Sequence, residues 1–301
     1  MDTLESLQKK IEGAEDIKSV VKTMKTVAAS NISQYETAVT ALGDYFHIIA
    51  LGVVAYFKAE KIEKIQAKKV QKKNHENLVC AIVFGSDQGL VGSFNDTLTD
   101  FVTQSLNAIP GKKEVWAVGE RIELLLSDAG FNVTKGFSVP GSVNAITPLV
   151  SEILIKSQEY QEKNHGQEFY IFQNQPKPGA RYLPVIQRLL PLDEKWRQEF
   201  AAISWPAKNI PQVVGGIKSS LQALIREYLF ISLFKACAES LASENASRLA
   251  AMQRAETNID EMLDDLNNNY RRTRQSSIDE ELFEVVSGFE ALKKGTRQEK
   301  K

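Results

Sequence analysis

At 301 residues, 43% hydrophobic and 25% charged, the chain has globular statistics and enough length to bury one or two cores. Its 37 basic and 38 acidic residues leave a formal net charge of -1, so no nucleic-acid partner is expected: neutralising phosphates requires a net basic face. The best apolar run, 47–57, is about half of the roughly 20 residues a bilayer-spanning helix needs, so no membrane span is expected. The acidic opening, with Asp2, Glu5 and Glu12, lacks the basic-then-apolar pattern of a signal peptide. Cys80 and Cys237 are far apart, and one pair builds neither a disulfide framework nor a zinc site, which suits a reducing compartment. His47, His75 and His165 show no ligand spacing, so neither a metal nor a cofactor is expected.

The N-terminal segment carries apolar residues at alternating three- and four-residue steps: Leu4, Leu7, Ile11, Ala14, Val21, Ala28, Ile32, Tyr35, Val39, Leu42, Phe46, Ile49, Val53 and Tyr56. A period of about 3.5 residues sustained over so many heptads predicts a coiled-coil helix over 1–60, and no proline precedes Pro110 to break it. Only Lys18 and Lys25 interrupt the seam. Over 76–200 the pattern changes. The continuous apolar run 78–84 reads as a buried strand, followed by a Gly-rich turn and a helix over 97–108. Strands are expected at 114–118, 131–137 and 169–173, and helices at 121–127 and 147–161. Pro176, Pro178, Pro184 and Pro191 mark a loop-rich return in which 183–192 is at most extended. Alternating strands and helices imply a parallel or mixed sheet covered by helices.

From 208 to 292 the heptad pattern returns: Val214, Ile217, Leu221, Leu224, Tyr228, Ile231, Ala238, Ala242, Leu249, Met252, Ile259, Leu263, Leu266, Tyr270 and Thr273. Its phase slips near Arg274 and resumes at Ile278, Leu282, Val285, Phe289 and Leu292, ahead of a polar tail over 293–301. Roughly 80 residues at about 1.5 Å each make a rod of about 120 Å, longer than any compact domain of this size. The stretch 236–255 is rich in Ala and Ser, so its seam is thin. Its outer faces are open to two readings, an exposed intramolecular coiled coil or a rod surrounded by other chains.

The turn Gly85-Ser86-Asp87-Gln88-Gly89-Leu90-Val91-Gly92-Ser93-Phe94-Asn95 lies where open α/β folds bind phosphates on helix N-termini. Its spacing fits neither the P-loop nor the dinucleotide fingerprint, which favours a structural turn over a nucleotide site. No G-x-S-x-G elbow accompanies Ser86. Arg271, Arg272, Arg274 and Gln275 precede Asp279, Glu280, Glu281 and Glu284, a pattern that fits a solvated face or a belt of switchable contacts with a collar.

Three segments resemble the gamma subunit of F-type ATP synthases: Val20-Val21-Lys22-Thr23-Met24-Lys25-Thr26-Val27-Ala28-Ala29-Ser30, the 85–95 turn, and Ser240-Leu241-Ala242-Ser243-Glu244-Asn245-Ala246-Ser247-Arg248-Leu249-Ala250-Ala251-Met252. The last continues through Ala255-Glu256-Thr257-Asn258, Arg274-Gln275 and Ile278-Asp279-Glu280-Glu281 to Val286-Ser287-Gly288. The fold this implies is α/β: an antiparallel coiled coil of the long N- and C-terminal helices with a central Rossmann-like α/β domain. The implied function is that of a central-stalk rotor without an active site of its own, coupling ion-driven rotation to ATP synthesis or hydrolysis. The implied partners are the alpha and beta subunits of the catalytic ring, the epsilon subunit and the c-type membrane rotor ring. The implied location is peripheral, on the cytoplasmic face of a bacterial membrane. By the same resemblance Met24, Lys25 and Arg248 face the moving loops of the catalytic subunits, and Arg274, Gln275 and Glu281 form the catch contact. Gln88, Asp279 and the acidic run Glu12-Gly13-Ala14-Glu15-Asp16 depart from the usual pattern and resemble the alternate, divergent bacterial subfamily. The alternatives are a non-rotary coiled-coil adaptor with an α/β head and a small nucleotide-binding enzyme.

Overall fold

Helix α1, Leu4–Ala59, buries Leu7, Ala14, Val21, Ala28, Tyr35, Ile49 and Tyr56, all on one seven-residue spacing. A strict heptad keeps one stripe facing a partner helix, which is why this sequence forms one long helix. The partner is α6, Ile217–Gln298, which buries Ile231, Ala238, Asn245 and Met252 on one row and Tyr228, Ala242 and Leu263 on the other. The computed structural model describes residues 3–59, 78–163, 167–177, 181–192, 194–206, 209 and 217–298. Val214, His75 and His165 lie outside them. Contacts divide the chain into two compact units, Met1–Thr26 with Ala251–Lys301, and Val27–Ala250.

In the first unit, Lys18 pairs with Asp260 at 2.6 Å and Lys25 pairs with Glu256, so the two helices run antiparallel. Counting back from Lys18 in this register brings Leu4, the start of α1, level with about Arg274. The seam expected to resume beyond Arg274 is therefore not buried: Ile278, Leu282 and Val285 are exposed. Their helix continues after its partner has ended.

The second unit holds the sheet. Its elements are β1 Leu78–Phe84, α2 Phe94–Ala108, β2 Lys112–Val118, α3 Glu120–Asp128, β3 Val133–Phe137, α4 Val143–Lys163, β4 Glu168–Lys177, β5 Arg181–Leu190 and α5 Glu194–Ala201. Strand order is β3-β2-β1-β4-β5, with every pairing parallel except β4 with β5. One face packs Cys80, Ile82, Trp116 and Ile171 against α4 and against Leu233, Cys237 and Leu241 of α6. The other packs Val79, Val83 and Val115 against Leu98 and Val102 of α2 and Ile122 of α3. Because β1 is covered on both faces, it is a continuous apolar run rather than an alternating one. The antiparallel pairing of α1 and α6 is repeated here by Asn31 with Asn245 at 3.3 Å and by Tyr45 with Glu227 at 2.9 Å.

Two elements depart from the expected pattern. The proline-marked return, expected to be at most extended over 183–192, forms a full strand, β5, from Arg181 to Leu190; it lies at the sheet edge, where a missing N–H at Pro184 leaves no central ladder bond unmade. Helix α5 has no counterpart in the sequence reading. It is held by aromatic contacts, Trp196 against Phe200 at 4.5 Å and Phe200 against Tyr228 at 5.5 Å. Together with Ile49, Ala50 and Val53 of α1, these rings form a separate core. The expectation that no segment could span a membrane also needs correction. Helix α1 over Leu4–Phe57 holds an 18-residue window of mean hydropathy 1.6, 22% of it buried, so by length and composition alone it suffices. The run 47–57 understated this because Ala38, Val39, Ala41 and Leu42 continue the apolar composition on the other side of Asp44.

Candidate functional site

The turn after β1 sits at the carboxyl end of the sheet, where doubly wound folds hold anionic ligands. Here the chain supplies its own anion. Asp87 Oδ1 accepts the N–H of Glu120, the first residue of α3, at 3.1 Å, and Oδ2 accepts the N–H of Val139 at 3.1 Å. A carboxylate from the turn after β1 thus caps the N-terminus of α3, the helix that follows β2. Ser86 and Asn95 close the turn through two bonds, Ser86 N–H to Asn95 Oδ1 at 3.1 Å and Asn95 Nδ2 to Ser86 Oγ at 2.8 Å. Gly119, at φ +119, lies where a Cβ would be 2.6 Å from the Ser86 carbonyl oxygen. The geometry is that of a packed structural turn, as its glycine spacing suggested.

Helix α6 fills the crevice between β1 and β4. Ser240 Oγ donates to Phe84 O at 2.8 Å, Ser243 Oγ donates to Asn174 O at 2.9 Å, and Ser247 Oγ donates to Val91 O. Glu239 accepts Gln173 Nε2 at 3.0 Å and Gln175 Nε2 at 3.4 Å. One turn on, the buried Glu244 accepts Arg248 at 2.7 Å. Burial pushes the Glu244 carboxyl above its ordinary value, and the Arg248 guanidinium opposes that shift. Cys80 and Cys237 are free and buried, and burial pushes both thiols up.

The residues singled out in sequence fall into two groups. Lys25 and Arg248 are tied within the chain: Lys25 to Glu256, with side chains 30% and 22% exposed, and Arg248 to Glu244. Met24 is half-buried beside Lys25. Arg274, Gln275 and Glu281 are exposed on α6, and Arg274 and Glu281, one heptad apart, share a helix face. Beside them the apolar side chains stand out from the helix: Leu282 is 62% exposed, Phe283 71% and Val285 73%. The acidic partners Glu244, Glu256 and Asp260 were missed by the sequence reading. Glu256 had a signal, since it occupies the same heptad row as Ala242, Leu249 and Leu263 and thus lies in the seam that Lys25 enters from α1. The hydroxyl row of α6 had none beyond its Ala- and Ser-rich composition.

The family model described as ATP synthase matches residues 3–292. The ATP synthase gamma chain of Nitrosomonas eutropha is 27% identical over 308 residues, covering 97% of this chain and 100% of that protein. Two solved structures of Euglena gracilis mitochondrial ATP synthase share the fold. The rotor in rotational state 1 has a TM-score of 0.60 at 17% identity, covering 91% of this chain and 98% of the other. The OSCP/F1/c-ring structure in rotational state 3 has a TM-score of 0.65 at 18% identity, covering 97% and 95%. The central stalk/c-ring structure of Tetrahymena thermophila mitochondrial ATP synthase has a TM-score of 0.54 at 20% identity, covering 78% and 99%. These matches do not favour the adaptor alternative. Helix, sheet and helix follow one another as in those stalks, the family match runs nearly end to end, and the chain belongs to the gamma-subunit family of the F-type ATP synthase central stalk.

Proposed function

We propose that this chain is the rotating shaft of a bacterial F-type complex, seated within a ring of alpha and beta subunits, with epsilon and a c-type membrane ring at its α/β domain. It carries no active site of its own. The observation that carries the reading is the exposed C-terminal part of α6. There Leu282, Phe283 and Val285 point away from any partner helix among the described residues, next to the polar belt of Arg274, Gln275 and Glu281. Contiguous exposed apolar side chains of this size mark an interaction surface. A sleeve of other chains would bury them, while a belt of long polar side chains makes contacts weak enough to break at each step.

The mechanism follows from unequal faces. A shaft shifts the nucleotide states of surrounding subunits only as far as its faces bind those states unequally. In this chain Met24, Arg274, Gln275 and Glu281 are the side chains offered for that discrimination, whereas Lys25 and Arg248 act through their bonds to Glu256 and Glu244. The departures at Gln88, Asp279 and 12–16 support placing the complex in the alternate bacterial subfamily, peripheral on the cytoplasmic side of the membrane. The test is co-expression with the alpha, beta and epsilon subunits of an F-type complex from the same source. A stable ATP-hydrolysing complex is expected, in which a thiol probe at Phe283→Cys is protected from labelling. ATP hydrolysis by the isolated chain, or failure of a ring to assemble, overturns the reading.

A further inference from the structure

We infer that Ser240, Ser243 and Ser247, together with Glu239, form a keyed joint that fixes the rotational setting of α6 about its own axis against the sheet. They are positioning residues for torque transfer, and the inference rests on the shaft reading above. The apolar surface that α6 presents in this core includes the large Leu233 and Phe234 one to two turns before the serines, but alongside the serines it narrows to Leu241 and Ala242. Apolar burial holds two elements together but is non-directional, so with so little of it alongside the serines it resists separation better than rotation there. Hydrogen bonds to carbonyl oxygens are directional and weaken steeply as they are bent.

The three serines are spaced three and four residues apart, which puts them on one face of the helix. Their acceptors belong to three different segments: Phe84 at the end of β1, Asn174 in β4 and Val91 in the turn before α2. The pairing of β1 with β4 stops at Val83 with Phe172, so beyond it the two strands part and α6 takes up carbonyls on either side of the gap. Glu239 adds a fourth tie by bridging Gln173 and Gln175. Turning the helix by one residue, about 100°, would break all four ties together. Ser232 provides the contrast: it is buried in the same helix, but its hydroxyl donates at 2.8 Å to Tyr228 O, so this bond stays within α6.

The test uses the whole complex reconstituted in vesicles, with the catalytic ring fixed and a bead on the membrane ring. In the triple variant Ser240→Ala, Ser243→Ala, Ser247→Ala, the angular variance of the stalled rotor is expected to rise about twofold, because directional ties are lost while apolar contact stays. Ions pumped per ATP hydrolysed are expected to fall by about half while ATP hydrolysis itself persists. Ser232→Ala is expected to match wild type in both readouts. Wild-type variance and pumping in the triple variant overturn the joint, as does an equal effect of Ser232→Ala. If the triple variant does not assemble, Ser243→Ala alone decides the matter: an intermediate variance supports the joint, and a wild-type value overturns it. A wild-type complex that does not rotate overturns the shaft reading, and the joint falls with it.

Discussion

Gly85, the residue that follows β1, offers a stringent test of the packing. A Cβ added there would lie 2.3 Å from Cβ of Ile122, 2.4 Å from its Cγ2 and 2.8 Å from its Cγ1. Carbon atoms in good contact sit about 3.5–4.0 Å apart, so more than an ångström of room is missing. Ile122 is fully buried in the cluster formed with Leu98, Val102 and Leu126, and α3 is held at its start by Asp87. A rotamer change at Ile122 moves its γ carbons but not its Cβ, so relief requires moving the α3 backbone. Overpacking costs about 1–3 kcal/mol, and the backbone contact places Gly85→Ala near the upper end, about 3 kcal/mol. Gly89, in the same turn, has nothing within 4 Å of its would-be Cβ, and Gly89→Ala is expected within about 0.5 kcal/mol of wild type. Ile122→Ala does not rescue Gly85→Ala, since the offending Cβ remains. The assay is equilibrium urea unfolding of the full chain followed by circular dichroism. A Gly85→Ala midpoint equal to that of Gly89→Ala, or rescue by Ile122→Ala, refutes the close approach of α3 to this turn.

Three further outcomes follow from the ion pairs and the exposed belt. Lys25→Glu should lower the thermal stability of the paired helices by about 1 kcal/mol, because the pair is only partly screened, and Lys25→Glu with Glu256→Lys should recover most of it. A double-mutant coupling energy near zero would contradict a cross-helix pair. Burial raises the carboxyl of Glu244 in the folded state, so its contribution is fully present below about pH 4.5 and is lost as pH rises through the folded value. Glu244→Gln lacks that loss, so its melting temperature should gain on wild type as pH rises from 4.5 toward 7; parallel profiles would contradict the burial effect. Arg274→Ala and Gln275→Ala remove exposed side chains off the seam, so helix content and melting temperature should hold while turnover or coupling of the assembled complex falls about threefold. Wild-type turnover and coupling in both would remove them from the catch contact.

The extent to which each feature was legible in sequence depends on how local its physical cause is. The long helices were legible because a heptad repeats one requirement, a small or apolar side chain facing a partner, and Leu7 through Tyr56 satisfy it turn after turn. Strand β1 was legible because burial on both faces leaves an unbroken apolar run, and the 85–95 turn because glycine marks close approach. Strand β5 and helix α5 were not legible. Pro184 breaks the strand signal locally and is tolerated only because its strand is an edge, while Trp196 and Phe200 of α5 find Tyr228 across a gap in sequence.

The side-chain chemistry divides along the same line. Periodicity alone was enough to place two long helices around an α/β domain, to show Lys18 and Lys25 breaking an apolar seam, and to put Arg274, Gln275 and Glu281 off it. It took the folded chain to show that the two lysines meet Asp260 and Glu256, that Asp87 caps α3 from the turn after β1, and that three serines of α6 hold the end of β1, β4 and the turn before α2. Periodicity constrains which face of a helix is buried. The identity of the atom opposite depends on where a distant segment returns, and no repeat in the chain encodes that.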